Sequence, residues 1–514
     1  MFSAVKSLNP KVKKDREKVR SRSLSGIRES DPPPWLGKPM HYRCANPALR
    51  YKYNDSIGYR KKLCTFETTE KEHAMRFLLI NQPMFNRGDE SAHKALVYAL
   101  LQHFPDCSIE VLFTGRPQEA VEECRVDDPR MLYTNLPVDE RYLNSYLRRL
   151  ERNTRFLWYF NPIARDIARR CRKADWIISS PGDNSLGARY DWDHLFFATI
   201  AEYAGRHLAY YGRSIGPFPD DSTSHKRFNL LSRRVLKRAD FVSLRDPESC
   251  RIAGAMGVQY FPTLDTSFLY TPMVQLPQEV NDALGEGEYI VLVPNYLIPE
   301  AKDFNGRSTP LQVKLFFAEL SRRILDQFPD CRIAMLPQLF CGRDYASTDY
   351  AFFKDIAEDV ADSRVVVLPD TLPSECHQAI IAGSKCVVGA RYHSIVFAIN
   401  NNVPFVTLNY ERRILGMLET LGKQDRVVDI TLALEPPRGR RPAAESRIGA
   451  SASGALTFEA EVAIARILDR MQRLSPDEEA RRKAKNATTE CFERLVSMIR
   501  KSTKGMRRAA STLS

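Results

Sequence analysis

Apolar residues along the chain gather into short runs separated by polar, turn-forming stretches. MRFLLINQ (75–82), SIEVLFTG (108–115), WIISS (176–180), HLAYYG (207–212) and FVSLRD (241–246) are five to eight residues long. They are short for helices and carry runs of apolar residues in place of strict alternation, which predicts buried parallel strands. Between them the period changes to that of a helix. AHKALVYALLQHF, from Ser91, places Ala92, Ala95, Leu96, Ala99 and Leu100 on one face, and further helices are predicted near 194–205 and, basic and amphipathic, at 225–238. After a looser stretch at 271–288 a second series begins: YIVLVPN, a helix at 310–327, CRIAMLPQ, a helix at 349–360, RVVVLPD, a helix at 374–382, KCVVGAR, a helix from His393, and PFVTLNY. Strands alternating with helices at this spacing predict an α/β fold with two doubly wound, Rossmann-like parallel sheets and a cleft between them.

The predicted layout is a basic, irregular extension over 1–74, a first Rossmann-like domain over 75–270, a linker over 271–288, a second domain over 289–432, a flexible insertion over 433–456, and a C-terminal helix with a basic tail over 457–514. The length of 514 residues suits two or three domains. No run of eighteen apolar residues occurs, and the first residues, MFSAVKSLNPKVKKDREKVR, lack the apolar stretch of a secretory signal, so a cytoplasmic protein is expected. Eleven cysteines are scattered without a CxxC pair, which suggests reduced thiols, with neither a zinc site nor a disulfide framework.

A net charge of +13 raises the question of nucleic acid, but the charge sits at the ends. Residues 1–30 hold nine Lys/Arg against three Asp/Glu, and residues 481–514 hold ten against two. Solvated tails, or tails drawn to an anionic membrane surface, explain this distribution better than nucleic acid does.

In open α/β sheets, ligands bind beyond the carboxyl ends of the strands. GARYHSIVFAINN (389–401) places Arg391 and His393 in such a position, between a strand ending at Gly389 and a following helix. A helix N-terminus offers free N–H groups and partial positive charge, and a guanidinium and an imidazole added there make an anion pocket. A surface Arg beside a helix-capping His is the plainer reading of the same three letters. Other predicted strands end in similar punctuation: NRGDES (86–91), where Gly88 permits a tight turn near Asp89, then SSPGDNSLG (179–187), GRSIGPF (212–218), SLRDPES (243–249) and PQLF (337–340).

In this order the motifs resemble those of the polysaccharide pyruvyl transferases, which attach pyruvate from phosphoenolpyruvate to a saccharide. NRGDES, SSPGDNSLG, GRSIGPF, VSLRDPES with Asp265 downstream, MLPQ and SECHQAIIAGSKCVVGARYHSIVFAINNNVPFVTLNYERRILG carry the likeness, which covers about residues 75–425. The resemblance implies the fold of the two-Rossmann-domain, GT-B-type glycosyltransferases, with donor and acceptor meeting between the domains. Phosphoenolpyruvate would lie against the second domain, on Arg391, His393, Ser394, Gln338 and Arg413, with His393 also the candidate acid. Asn86, Gly88, Asp183, Asn184, Ser214 and Arg245 would face the saccharide acceptor, and Asp89 is the candidate base.

No cofactor is expected beyond the donor itself, and no metal. The chain departs from the family where a glycine-rich turn is usual: it has Ser180-Pro181-Gly182-Asp183, and Pro181 removes an N–H. Tyr392 stands for a more usual Leu, and Arg413 for Lys. A lipid-linked acceptor would place the protein at the inner face of the membrane. Two other classes fit the same architecture: a glycosyltransferase using a sugar nucleotide, with Glu411 a candidate for holding its base, and a non-catalytic scaffold of a polysaccharide assembly complex.

Overall fold

The computed structural model describes residues 74–83, 86–114, 118–137, 161–187, 189–298, 308–339, 349–410, 412–435 and 456–511. The predicted extension up to residue 73, most of the 433–456 insertion, Phe340 and Glu411 lie outside them.

Two parallel sheets carry the fold. The first contains β1 (Arg76–Ile80), β2 (Ser108–Thr114), β3 (Met131–Leu136), β4 (Trp176–Ser179), β5 (Leu208–Arg213), β6 (Phe241–Leu244) and β7 (Phe261–Pro262), in the order β3-β2-β1-β4-β5-β6-β7. The second contains β8 (Tyr289–Val293), β9 (Arg332–Met335), β10 (Val365–Val367), β11 (Cys386–Gly389), β12 (Phe405–Asn409) and β13 (Val427–Asp429), in the order β10-β9-β8-β11-β12-β13. Both are doubly wound, as their apolar strands predicted. Successive side chains of each strand feed opposite faces: Leu78 and Ile80 enter one core while Phe77 and Leu79 enter another. Ile290 and Leu292 part in the same way from Val291 and Val293.

In each sheet the strand order reverses beside its first strand, at β1/β4 and at β8/β11. These are the two switch points at which a ligand crevice opens, and each is followed by one of the motifs singled out above.

Glu72–Ser514 is one compact unit, and a charged seam joins its two sheets. The helix after β1, Arg87–His103, starts four residues before Ser91, because Asn86 caps it by accepting from the Asp89 N–H. It packs against the helix Ser374–Ala382 of the second domain. Arg87 is buried and donates to Glu90 at 2.8 Å and to the Asp370 carbonyl at 2.7 Å. Lys94 bridges Glu90 at 2.6 Å and Glu375 at 2.7 Å. Burial alone would raise the Glu90 carboxyl, but Lys94 and Arg87 overcome it and hold its pKa at about 2.

Residues 478–511 differ from the expected basic tail. They form one helix, Glu478–Ser511, whose Ala484 belongs to the core of the second domain. Further along, Cys491, Phe492, Leu495, Val496 and Ile499 complete the core of the first. The apolar stripe at helical spacing is hidden among Arg and Lys, and burial of that stripe, not net charge, decides where the segment lies.

Candidate active site

Both switch points open into one cleft of about 520 Å³. From the first domain it is lined by Asn81, Asn86, Asp89, Asp183, Arg213 and Arg245, and from the second by Asn295, Gln338, Arg391, Tyr392, His393 and Tyr410.

The second domain supplies the anion-binding wall. Strand β11 ends at Gly389, and Arg391 is the N-cap of the helix Tyr392–Asn400. The first-turn N–H groups of that helix and the Arg391 guanidinium therefore face the same space. Arg391 pairs with the buried carboxylate of Asp349, whose other oxygen accepts the Gln338 N–H at 3.0 Å and the Leu339 N–H at 2.9 Å. Asp349 thus fixes both the cation and the loop after β9. Two buried donors in this wall, Arg391 Nε and Gln338 Nε2, have no hydrogen-bond partner among the described residues. Buried donors left open at a cleft suit an anionic ligand.

His393 reaches across to the first domain. A Cβ added to Gly88 would lie 1.8 Å from its Nδ1, so the ring rests directly on the first turn of the Arg87–His103 helix. The glycine is required for close approach, in place of the tight turn suggested by the sequence. On its other edge His393 Nε2 lies 3.5 Å from Asp265 Oδ2, and the same oxygen accepts from Arg245 at 2.9 Å. Burial would raise the Asp265 carboxyl, but His393 and Arg245 outweigh it and hold it well below the usual carboxylate range. Asp265 stays ionised and orients both His393 and Arg245.

Asp89 is buried beside this group. Desolvation raises its pKa above the ordinary value, and His393, Arg245 and Arg213 only partly counter that. Asn86 Nδ2 donates to its Oδ2 at 2.6 Å. A carboxyl so placed is a stronger base than a solvated one.

Arg245 also donates to Ser214 at 3.1 Å and stacks over Tyr392, its guanidinium carbon 5.0 Å from the ring centroid. Arg213, buried at the end of β5, donates to the carbonyls of Asn81, Ser180 and Asp183 and to Ser185, which shapes the turn after β4 despite Pro181. Asp183 pairs with Arg189 at 2.5 Å. His194, at the far side, is kept neutral chiefly by burial and further by Arg213.

Of the residues selected from sequence, Asn86, Asp89, Asp183, Arg245, Gln338, Arg391 and His393 line the one cleft. Ser394 instead donates to the Arg391 carbonyl at 2.6 Å, Asn184 to the Gly216 carbonyl at 3.0 Å, and Ser214 holds Arg245. These three shape the turns. Arg413 lies in the first turn of the helix Arg412–Leu421. Asn81, Arg213, Asn295, Asp349 and Tyr410 were not selected; Arg213 and Tyr410 lie within the quoted GRSIGPF and NYERRILG, where nothing set them apart from their neighbours. Asp265 was noted only for its place in the motif order. Among the described residues, no group of three or more His, Cys, Asp or Glu could hold a metal ion.

A family model described as polysaccharide pyruvyl transferase matches residues 86–412. The amylovoran biosynthesis protein AmsJ of Erwinia amylovora is 21% identical over 388 residues, covering 69% of this chain and 88% of that protein. Among solved structures, a Listeria monocytogenes protein described as a UDP-N-acetylglucosamine 2-epimerase is similar with a TM-score of 0.51 at 12% identity, over 84% of this chain and 98% of its own. The ADP-heptose LPS heptosyltransferase II of E. coli gives 0.39 at 13% identity, over 78% and 98%. The likeness to the Listeria protein is one of fold.

Proposed function

Because the chain belongs to the polysaccharide pyruvyl transferase family, we propose that it transfers pyruvate from phosphoenolpyruvate to a saccharide as a ketal, releasing phosphate, in the cleft between its two sheets. The observation that carries the reading is the meeting of Arg391 and His393 with Asp89 and Arg245 across that cleft.

Two acceptor hydroxyls add to C2 of the donor. As the first C–O bond forms, its hydroxyl proton is taken up and the methylene carbon gains a proton to become a methyl group. As the second forms, the bond from C2 to the phosphate oxygen breaks, and the second hydroxyl proton leaves with phosphate. His393 delivers the proton to the methylene carbon, Asp265 keeping its ring in place. Asp89, raised by burial, receives the hydroxyl proton. Arg391, Gln338 and the helix N-terminus hold the donor's anionic groups and the departing phosphate.

Phosphate release and thermal shift test this reading, with phosphoenolpyruvate and UDP-sugars as ligands and with wild type, Arg391→Ala and His393→Ala. Stabilisation by phosphoenolpyruvate that vanishes in Arg391→Ala is expected. Loss of one such donor to transition-state charge lowers turnover by about 10²- to 10³-fold. Stabilisation by a UDP-sugar alone overturns the donor assignment and leaves a sugar-nucleotide transferase.

A further inference from the structure

The helix Thr223–Arg238 has a face that the cleft does not use. Its sixteen residues contain Lys226, Arg227, Arg233, Arg234, Lys237 and Arg238 and no Asp or Glu. Phe228, Val235 and Leu236 bury one side. On the opposite side, spacings of four, three and four residues set Lys226, Leu230, Arg233 and Lys237 in a single exposed stripe. Leu230, a large apolar residue, stands in its middle 68% exposed.

The nearby acids are engaged elsewhere. Glu202 takes Arg234 and Arg238, Asp221 takes His225, Asp240 takes His207, and Glu248 takes Arg251. Asp220 is two residues ahead of the N-cap Ser222. Arg233 Nε donates to the Met256 carbonyl at 3.1 Å, which sets its stem against the surface while the residue stays exposed. Cations around a central leucine match a bilayer of anionic headgroups, where phosphates pair with the cations and the leucine enters the acyl boundary. A nucleic acid would use the cations but gains nothing from Leu230, and the stripe has no aromatic ring on which bases would stack.

We infer that this stripe is a docking face for an anionic lipid surface. Its N-terminal end is tied to the rim of the cleft: the Tyr190 ring stacks on His225 with centroids 3.5 Å apart, and its chain neighbours Arg189 and Asp191 line the cleft. Docking through the stripe sets the first-domain lip of the cleft toward the membrane, where a lipid-linked saccharide is presented. That last step rests on the proposed function, whereas the docking itself does not.

The test is co-sedimentation of the full chain with phosphatidylglycerol–phosphatidylcholine vesicles and with phosphatidylcholine alone, without donor or acceptor. Wild type is expected to bind only the anionic vesicles. Lys226→Gln/Arg233→Gln/Lys237→Gln is expected to lower the partition coefficient by about 100-fold, three surface cations having been removed, with an unchanged melting temperature. Leu230→Trp, read as a difference spectrum against wild type, is expected to shift to the blue on anionic vesicles only. Absence of wild-type binding, unchanged binding in the triple variant (which would assign it to another basic segment such as residues 1–30), or a triple-variant loss seen with RNA but not with vesicles would each overturn the inference. Any of these results leaves the pyruvyl reading untouched.

Discussion

Gly88→Ala separates the chemistry of this protein from its stability. Gly88 lies in the first turn of the Arg87–His103 helix, and a methyl group there would fall 1.8 Å from His393 Nδ1 and 1.9 Å from its Cγ. Contacts that short are not relieved by small adjustments, because Cγ is fixed to the Cβ of His393. The ring must turn to another rotamer, which takes it off Asp265. Alanine is the better helix former by about 1 kcal/mol, and this offsets much of the cost of turning one side chain. The melting temperature should therefore move by only a few degrees. Phosphate release should fall by about 100-fold, the usual consequence of displacing a reacting group by an ångström or more. Since the loss acts through His393, adding Gly88→Ala to His393→Ala should change almost nothing further. The assay is donor-dependent phosphate release on all four members of the cycle, beside their thermal melts. Full activity in Gly88→Ala, or additive losses in the double variant, would refute the argument.

Other outcomes follow from the same geometry. Asp265→Asn should lower turnover more than donor affinity, because it removes the charge that orients His393 and Arg245; an equal loss in both, measured by kcat and KM, would mean that Asp265 only holds the fold. Asp89 has a raised folded pKa, so stability falls as pH rises from the ordinary carboxylate value through the raised one; Asp89→Asn should thus melt no lower than wild type at neutral pH while losing activity. Lys94→Met leaves Glu90 and Glu375 short of a cation inside the seam between the domains and should destabilise by about 3–5 kcal/mol in denaturant melts. Glu90 has a depressed folded pKa, so its contribution is complete at neutral pH and is lost as pH falls from 4.5 toward 2; an acid titration followed by circular dichroism should show a shallower loss across that window in Lys94→Met.

Much of the fold was legible because buried parallel strands are nearly continuous apolar runs, and RFLLI, YIVLV and FVTLN are interrupted only by Thr407 and the terminal Arg76 and Asn409. Strand β3, MLYTNL, was missed: it lies at a sheet edge, its side chains are half-exposed, and no apolar run marks it. The two residues of β7 and three of β13 are too short to show a period. The Glu478–Ser511 helix was concealed by its own charge. At the site, the ends of β1, β4, β6, β9 and β11 could be found because polar residues interrupt the pattern there. Arg213 and Asp349 could not, since their importance comes from partners brought in from distant parts of the chain. Gly88 was selected for a tight turn and instead makes room for the His393 ring, because a sequence shows which side chain is absent but not what fills the space.

The Glu478–Ser511 helix also sets an order of events. Phe492, Leu495 and Ile499 share a core with strands whose residues leave the ribosome about 250 to 420 positions earlier. The first sheet can pair as it is made, but one of its faces stays uncovered until residues 491–499 have been synthesised and released. The first domain is therefore finished only after the second has been made, and a chain cut before residue 491 carries its damage in that first domain.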